Sequence, residues 1–345
     1  MSRERMTRIC GLFLLATLVC HGGERTPANP VGAITKEFKT HTVVLLGGTD
    51  GSVPEHRLLL QLVRSPQFSK TVNAIATPCN SMYQPMVDRY LAGGSVPIDQ
   101  LQQAWRNSLT IGPVADQPEE ELFAAVRDVN ERLPVKRKRL RIVCTDGPVD
   151  WSKVHSRADL NPFVPTRDEI SVRILKEQIL AKHQKALVST GAMHFRRVAG
   201  KPSAIEQALQ AAGATTYVVL VGSNVTGPED QQDSRFLRWK WPWMLSAEGT
   251  WLGPLPAKPL IMGSNLSRAH IAGPISEAAD AFLFIGPPGT IQTYVPKRSA
   301  LEGTAYGEEA KRRLRVIFGE GRKLPDYLPK DDSGLAPKYP GATKK

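Results

Sequence analysis

Sulfur is scarce in this chain. Four Cys among 345 residues are too few for the disulfide scaffold on which small secreted folds rely. Long apolar runs are missing too: residues 9–20 are apolar, well short of the roughly 20 residues a membrane-spanning helix needs, so a multi-pass membrane protein is excluded. No His-Glu-x-x-His, no Cys pair at zinc spacing and no Gly-x-Ser-x-Gly elbow occurs. A Cys-ligated zinc site and a serine hydrolase of the usual kind are therefore disfavoured. What is present suits a folded protein: 41% hydrophobic and 23% charged residues, with length for one large domain or two ordinary ones.

The N-terminal pattern is that of a secretory signal. Arg3, Arg5 and Arg8 precede the apolar run, and His21, Gly22, Gly23 and Glu24 follow it, which predicts a signal peptide over 1–23 and a periplasmic or extracellular protein. A lipid anchor on Cys20 is the lesser alternative, because Val19 stands where a lipobox prefers a small residue. A linker is expected at 24–39, one α/β domain over 40–320, and a tail without fixed structure from 321 to 345. In an oxidising compartment Cys79 and Cys144 either pair or remain two separate buried thiols.

The net charge of +12 raises the question of a polyanion partner. Its densest runs, residues 136–139 and 311–315, read as the approach to an apolar strand and as a helix with a solvated face, and no aromatics interleave with either. A nucleic-acid partner is not expected. Loose peripheral attraction to anionic envelope components is compatible with the charge. Nothing in the sequence fixes the oligomeric state or names a metal.

Hydrophobic periodicity predicts strands at 42–46, 72–76, 140–144, 186–189, 216–221 and 281–285. Helices are predicted at 54–63, 81–91, 98–107, 119–133, 168–183 and 204–212. Six short runs with almost no polar alternation suit strands covered on both faces. The expected fold is three-layer α/β, with a mainly parallel central sheet and helices on both faces. Residues 222–280 break the rhythm with Trp239, Trp241, Trp243 and Trp251 among Pro and Gly, which predicts an irregular Trp-rich insertion serving as hydrophobic cover.

Ligands of open α/β sheets bind beyond the carboxyl ends of the strands, so the loops there carry the candidate site. Gly47-Gly-Thr-Asp-Gly-Ser52 and Gly286-Pro-Pro-Gly289 match no phosphate-binding motif and read as tight turns. His194, beside Arg196 and Arg197, is the most informative single residue, since an imidazole at a strand end can act as a base or hold a ligand near neutral pH. Asp146 and Asp150 are candidates to orient it, although Asp-Gly-Pro is also an ordinary turn sequence.

In chain order, Leu45-Leu-Gly-Gly-Thr-Asp-Gly51, Asn80-Ser-Met-Tyr-Gln-Pro-Met-Val-Asp-Arg89, Asp146-Gly-Pro-Val-Asp-Trp151, Arg167-Asp168 and Gly191-Ala-Met-His194 resemble bacterial proteins of the erythromycin esterase, ChaN and Tiki superfamily, over residues 40–318. The resemblance implies a three-layer α/β domain, and the superfamily includes haem-uptake lipoproteins, macrolide esterases and proteases. Relatives carry Gly-Glu-x-His-Gly after the first strand and a Glu ending the second. This chain has Gly48, Asp50 and Thr77 there, and only His194 survives.

Two functions follow as expectations. One is an envelope protein without the usual catalytic set, binding a small molecule in a pocket lined by Thr77, Asn80, Tyr83, Gln84, Asp146, Asp150, Trp151, Arg167, His194 and Arg197; haem enters by resemblance only. The other is a hydrolase with His194 as general base and Asp50 or Asp146 as its orienting carboxylate.

Overall fold

The computed structural model describes residues 25–49, 51–110, 112–134, 136–223, 234–257, 273–319 and 332–336. The expected signal segment, Cys20 and Asp50 lie outside them. Seven strands form one sheet: β1 (Val43–Gly48), β2 (Ala74–Asn80), β3 (Arg141–Asp146), β4 (Ala186–Gly191), β5 (Thr216–Gly222), β6 (Trp243–Ser246) and β7 (Ala281–Phe284). Their order is β3-β2-β4-β1-β5-β7-β6. All pairings are parallel except that of β6 with β7.

Alternate residues of the apolar strands enter opposite cores, as the two-residue period of a strand requires. Val43, Leu45, Val188, Val218 and Leu220 face one layer, whereas Val44, Leu46, Leu187, Val219 and Val221 face the other. The second layer holds α1 (Pro30–Glu37), α2 (Val53–Arg64), α3 (Pro66–Thr71), α4 (Gln84–Leu91) and α7 (Gln117–Arg132). The first holds α8 (Arg167–Gln178) and α9 (Ala204–Ala211). The structure is thus the three-layer, mainly parallel α/β sandwich that unalternated apolar runs imply.

Several local expectations are corrected. The supposed linker contains α1, which starts where Asn29 caps the amides of Val31 and Gly32 and where Pro30 supplies a preset φ. Its Ile34, and Phe38 just after it, are fully buried. Strand β2 begins two residues later than expected and runs on to Asn80, with its register broken between Thr77 and Asn80, where Pro78 lacks a donor for the ladder. The helix expected at 98–107 is two single turns, α5 (Ile98–Leu101) and α6 (Gln103–Arg106), joined at Gln102.

The seventh strand lies inside the region expected to be irregular. β6 is only four residues long and shows no alternation, so it left no periodic signal. Around it Trp239, Trp243, Trp251 and Phe236 pack ring against ring over Phe282 and Phe284 of β7. Part of the expected tail is also held: Ala336 donates to the Thr293 carbonyl, Val295 to that of Gly334, and Asp332 accepts from Ser299.

The basic run 311–315 lies on the last described helix, Ala305–Phe318, but its face is not simply solvated. Arg312 donates to the carbonyls of Val154 and Trp151, and Arg313 to Arg106 O and Asn107 Oδ1. Arg313 also lies over the Trp151 ring, 4.5 Å from its centroid. Two charges counted as surface therefore fasten the helix to the β3 end of the sheet.

Candidate functional site

Strands β1 and β4 are neighbours, yet the chain leaves β1 toward α2 in one layer and leaves β4 toward α9 in the other. Such a reversal opens a crevice beyond the strand ends. Here it is divided in two. Pro78 of β2 and Thr190 of β4 line both recesses, one on the α8 side and one on the α2 side.

The α8 side holds His194, in the single 3-10 turn that follows β4. Its Nδ1 lies 2.6 Å from Oδ1 of Asp168. Asp168 stands in the first turn of α8, where a carboxylate also meets the positive end of the helix. Among the described residues the carboxylate against His194 is therefore Asp168 and not Asp146. Asp146, only 1% exposed, is taken by Arg167, whose Nε and Nη2 donate to its two oxygens at 2.7 and 2.9 Å. The Leu109 amide donates to it as well, at 2.8 Å. Burial nevertheless pushes the Asp146 carboxyl above its ordinary 3.8, against the pull of Arg167. The recess between these pairs measures about 10 Å³, room for one water at most.

The α2 side is different. Gly48 ends β1, and a Cβ there would collide with the carboxylate of Glu55, which reaches in from the first turn of α2. The Thr49 amide donates to Glu55 Oε2 at 3.0 Å. Beside it Ser52 is 5% exposed, and its hydroxyl has no hydrogen-bond partner among the described residues. It occupies the N-cap of α2 without making the usual cap bond. His56 is buried and its Nε2 lies 3.0 Å from Glu121; burial lowers its pKa below 6.5, outweighing Glu121. With Glu119 from the first turn of α7, Thr77 and Thr190, these residues enclose a cavity of about 110 Å³.

The remaining sequence candidates serve the frame. Asn80, fully buried, donates to the carbonyls of Asn107 and Val149. Tyr83 accepts from Asn107 through its hydroxyl. Gln84 bridges the β3 backbone, donating to Ile142 O and accepting from Cys144 N, while Trp151 Nε1 donates to Asn107 O. Asp150 caps its own turn and pairs with Lys153. Arg197 is distant from both recesses in role: it joins α9 to the β7 edge through Glu206 and Asp280. Those bonds hold its charge firmly although burial opposes it. Thr77 alone of the neutral candidates lines the larger cavity.

Sequence reasoning missed Asp168, Ser52, Glu55, His56 and Glu119. Asp168 had a signal, standing beside Arg167 in a quoted motif; Glu55 and Glu119 had one too, as acids in the first turn of helices that begin at strand-end loops. Cys79 and Cys144 are free and buried, and the contact with Cys144, then burial and the nearby Glu119, keep the Cys79 thiol well above its ordinary range. Among the described residues no group of three or more His, Cys, Asp or Glu is placed to hold a metal ion, and no helix is long and apolar enough to cross a membrane.

No family model and no curated protein matches the chain. Solved structures similar to it include a succinoglycan biosynthesis protein, with TM-score 0.46 at 12% identity over 76% of this chain and 94% of that one. The type III effector HopBA1 is similar with TM-score 0.39 at 13% identity, over 60% and 93%. ChaN of Campylobacter jejuni, described with cofacial haem, is similar with TM-score 0.34 at 14% identity, over 57% and 87%. Likeness at this level concerns the path of the chain and not its chemistry.

Proposed function

We propose that this chain is an exported cell-envelope protein, a distant member of the superfamily its strand-end motifs resemble, and that it binds a small ligand in the cavity on the α2 side of the crevice. One observation carries the binding proposal: a cavity of about 110 Å³ at the point where the chain reverses across the sheet, lined by polar side chains such as Glu55, Thr77 and Glu119 together with Leu59 and Leu122. The volume admits a few non-hydrogen atoms. Haem, suggested by resemblance alone, is far larger.

The test is native mass spectrometry of protein purified from its own host, beside a Ser189→Trp variant that fills the α2-side cavity, which Ser189 lines and the smaller recess does not share. A non-covalent adduct on the wild type that the variant lacks supports the proposal. Equal adducts on both, or none on either, count against it.

A second function, ester or amide hydrolysis, is favoured by the 2.6 Å contact of His194 with Asp168. An imidazole oriented by a carboxylate is the usual general base, and this one is 27% exposed. Turnover of a simple activated ester that falls at least a hundredfold in both His194→Ala and Asp168→Asn supports this function; turnover unchanged in both removes it.

A further inference from the structure

The cations of this chain are unevenly placed. Segments that enter the strands of a parallel sheet share one end of it, opposite the end where ligands bind, and here they are joined in the strand order β3-β2-β4-β1. The Arg141 amide at β3 donates to the Asn73 carbonyl before β2, the Asn73 side chain accepts from the Lys185 amide before β4, and the Ala186 amide donates to the Thr42 carbonyl before β1. The basic run 136–139 leads into β3, Lys70 into β2, Lys182 and Lys185 into β4, and Lys36 and Lys39 into β1. All are exposed except Lys185, whose ammonium donates to the Phe38 carbonyl. Among the described residues none of them pairs with a carboxylate, whereas Asp88, Asp128 and Glu131 beside them are taken by Arg141, Arg132 and Arg127. Glu37 and Glu177 offset part of the charge, and Val135, which is uncharged, is the one residue of these segments outside the described residues. Helices α1, α3, α7 and α8 end here too, but the half negative charge of a helix end is less than the cations beside it. At the crevice end, by contrast, Arg167, Arg312 and Arg313 are each held by a carboxylate.

We propose that the amino end of the sheet is the surface by which this chain lies against an anionic lipid bilayer, with the crevice turned away from it. Neighbouring strands are about 4.8 Å apart, well inside a Debye length of about 10 Å, so the cations that enter them raise a common potential. Each Lys or Arg near an anionic bilayer strengthens binding by about fivefold. The attraction is electrostatic, since the exposed large apolar side chains, such as Ile98 and Trp241, belong to none of these segments. Nucleic acid is a poorer partner for the same reason, because no exposed large ring stands among these cations for a base to stack on. Strands of six residues hold the crevice roughly 20 Å from the bilayer, so its mouth stays open when the opposite end is docked. The proposal is independent of what the α2-side cavity binds.

The experiment is sedimentation of the full chain with vesicles of phosphatidylcholine alone and with vesicles that also hold roughly 30% phosphatidylglycerol. Binding to the anionic vesicles only, abolished by about 0.5 M salt, is expected. Lys39→Glu combined with Lys138→Glu should weaken it by at least about tenfold. Lys201→Glu combined with Lys297→Glu makes an equal change of net charge in exposed positions of the loops that follow β4 and β7, and should cost less than about threefold. Equal losses in the two variants, no binding to the anionic vesicles, or tighter binding of duplex DNA than of those vesicles each overturns the proposal. If the first variant does not fold, Lys39→Gln combined with Lys138→Gln is read against the same threshold.

Discussion

The two recesses beyond the strand ends share Pro78 and Thr190 but are built to opposite plans. On the α8 side the described ionisable groups are matched in pairs, Asp146 with Arg167 and Asp168 with His194, and the space left is about 10 Å³. On the α2 side a glycine makes room for a carboxylate, a cap hydroxyl goes without its cap bond, and about 110 Å³ stays open. Polar groups that satisfy one another hold a fold together. Polar groups arranged around a void are available to something else. Mutations on the first side should therefore act on stability, and those on the second on binding.

The largest effect is expected from Arg167→Met. It leaves Asp146 buried with only the Leu109 amide, and should cost about 3–5 kcal/mol in urea unfolding; a loss below 1 kcal/mol would mean that the α8 side is not closed in solution. Next comes Gly48→Ala, whose Cβ must displace the Glu55 carboxylate. A cost of about 1–3 kcal/mol is expected in urea unfolding; no measurable cost would show that Glu55 leaves the space above residue 48 freely.

His56 gives a smaller effect with a definite sign. Its pKa is lower in the folded state than its ordinary 6.5, so on acidification the unfolded chain takes up the proton first. Its contribution to stability is complete above about pH 6.5 and declines as pH falls below that value. A His56→Gln protein should lose less stability between about pH 7.5 and pH 5.5 than the wild type; an equal or larger loss would contradict the neutral, buried ring. Ser52→Ala should raise stability slightly, by about 1 kcal/mol, because it removes a buried hydroxyl that has no partner among the described residues and no cap bond is there to lose. A loss of about 1 kcal/mol, as for an ordinary N-cap, would show that the hydroxyl is capping the helix after all.

The layers of the fold were legible because they rest on periodicity. Runs such as Val43 to Leu46 and Val218 to Val221 are buried from end to end, and Leu122 and Val126 of α7 fall on one buried face. Elements of four residues, such as β6, carry too little pattern to be seen. At the site, residue type alone misled. Asn80, Gln84 and Trp151 look like ligand contacts in sequence, but each is occupied by backbone carbonyls or amides far along the chain, and such partners have no sequence signature. Glu55 shows the converse. A strand-end carboxylate absent at residue 48 is supplied from seven residues further on, which only the space above Gly48 reveals.

Methyl NMR of the full chain titrated with 1-butanol, small enough for about 110 Å³ and too large for about 10 Å³, tests the contrast between the two sides most directly. Leu59 and Leu122 line the larger cavity, and Leu175 and Ile205 the smaller. Saturable shifts at Leu59 and Leu122, with Leu175 and Ile205 unmoved, are predicted; shifts confined to Leu175 and Ile205 would contradict the account.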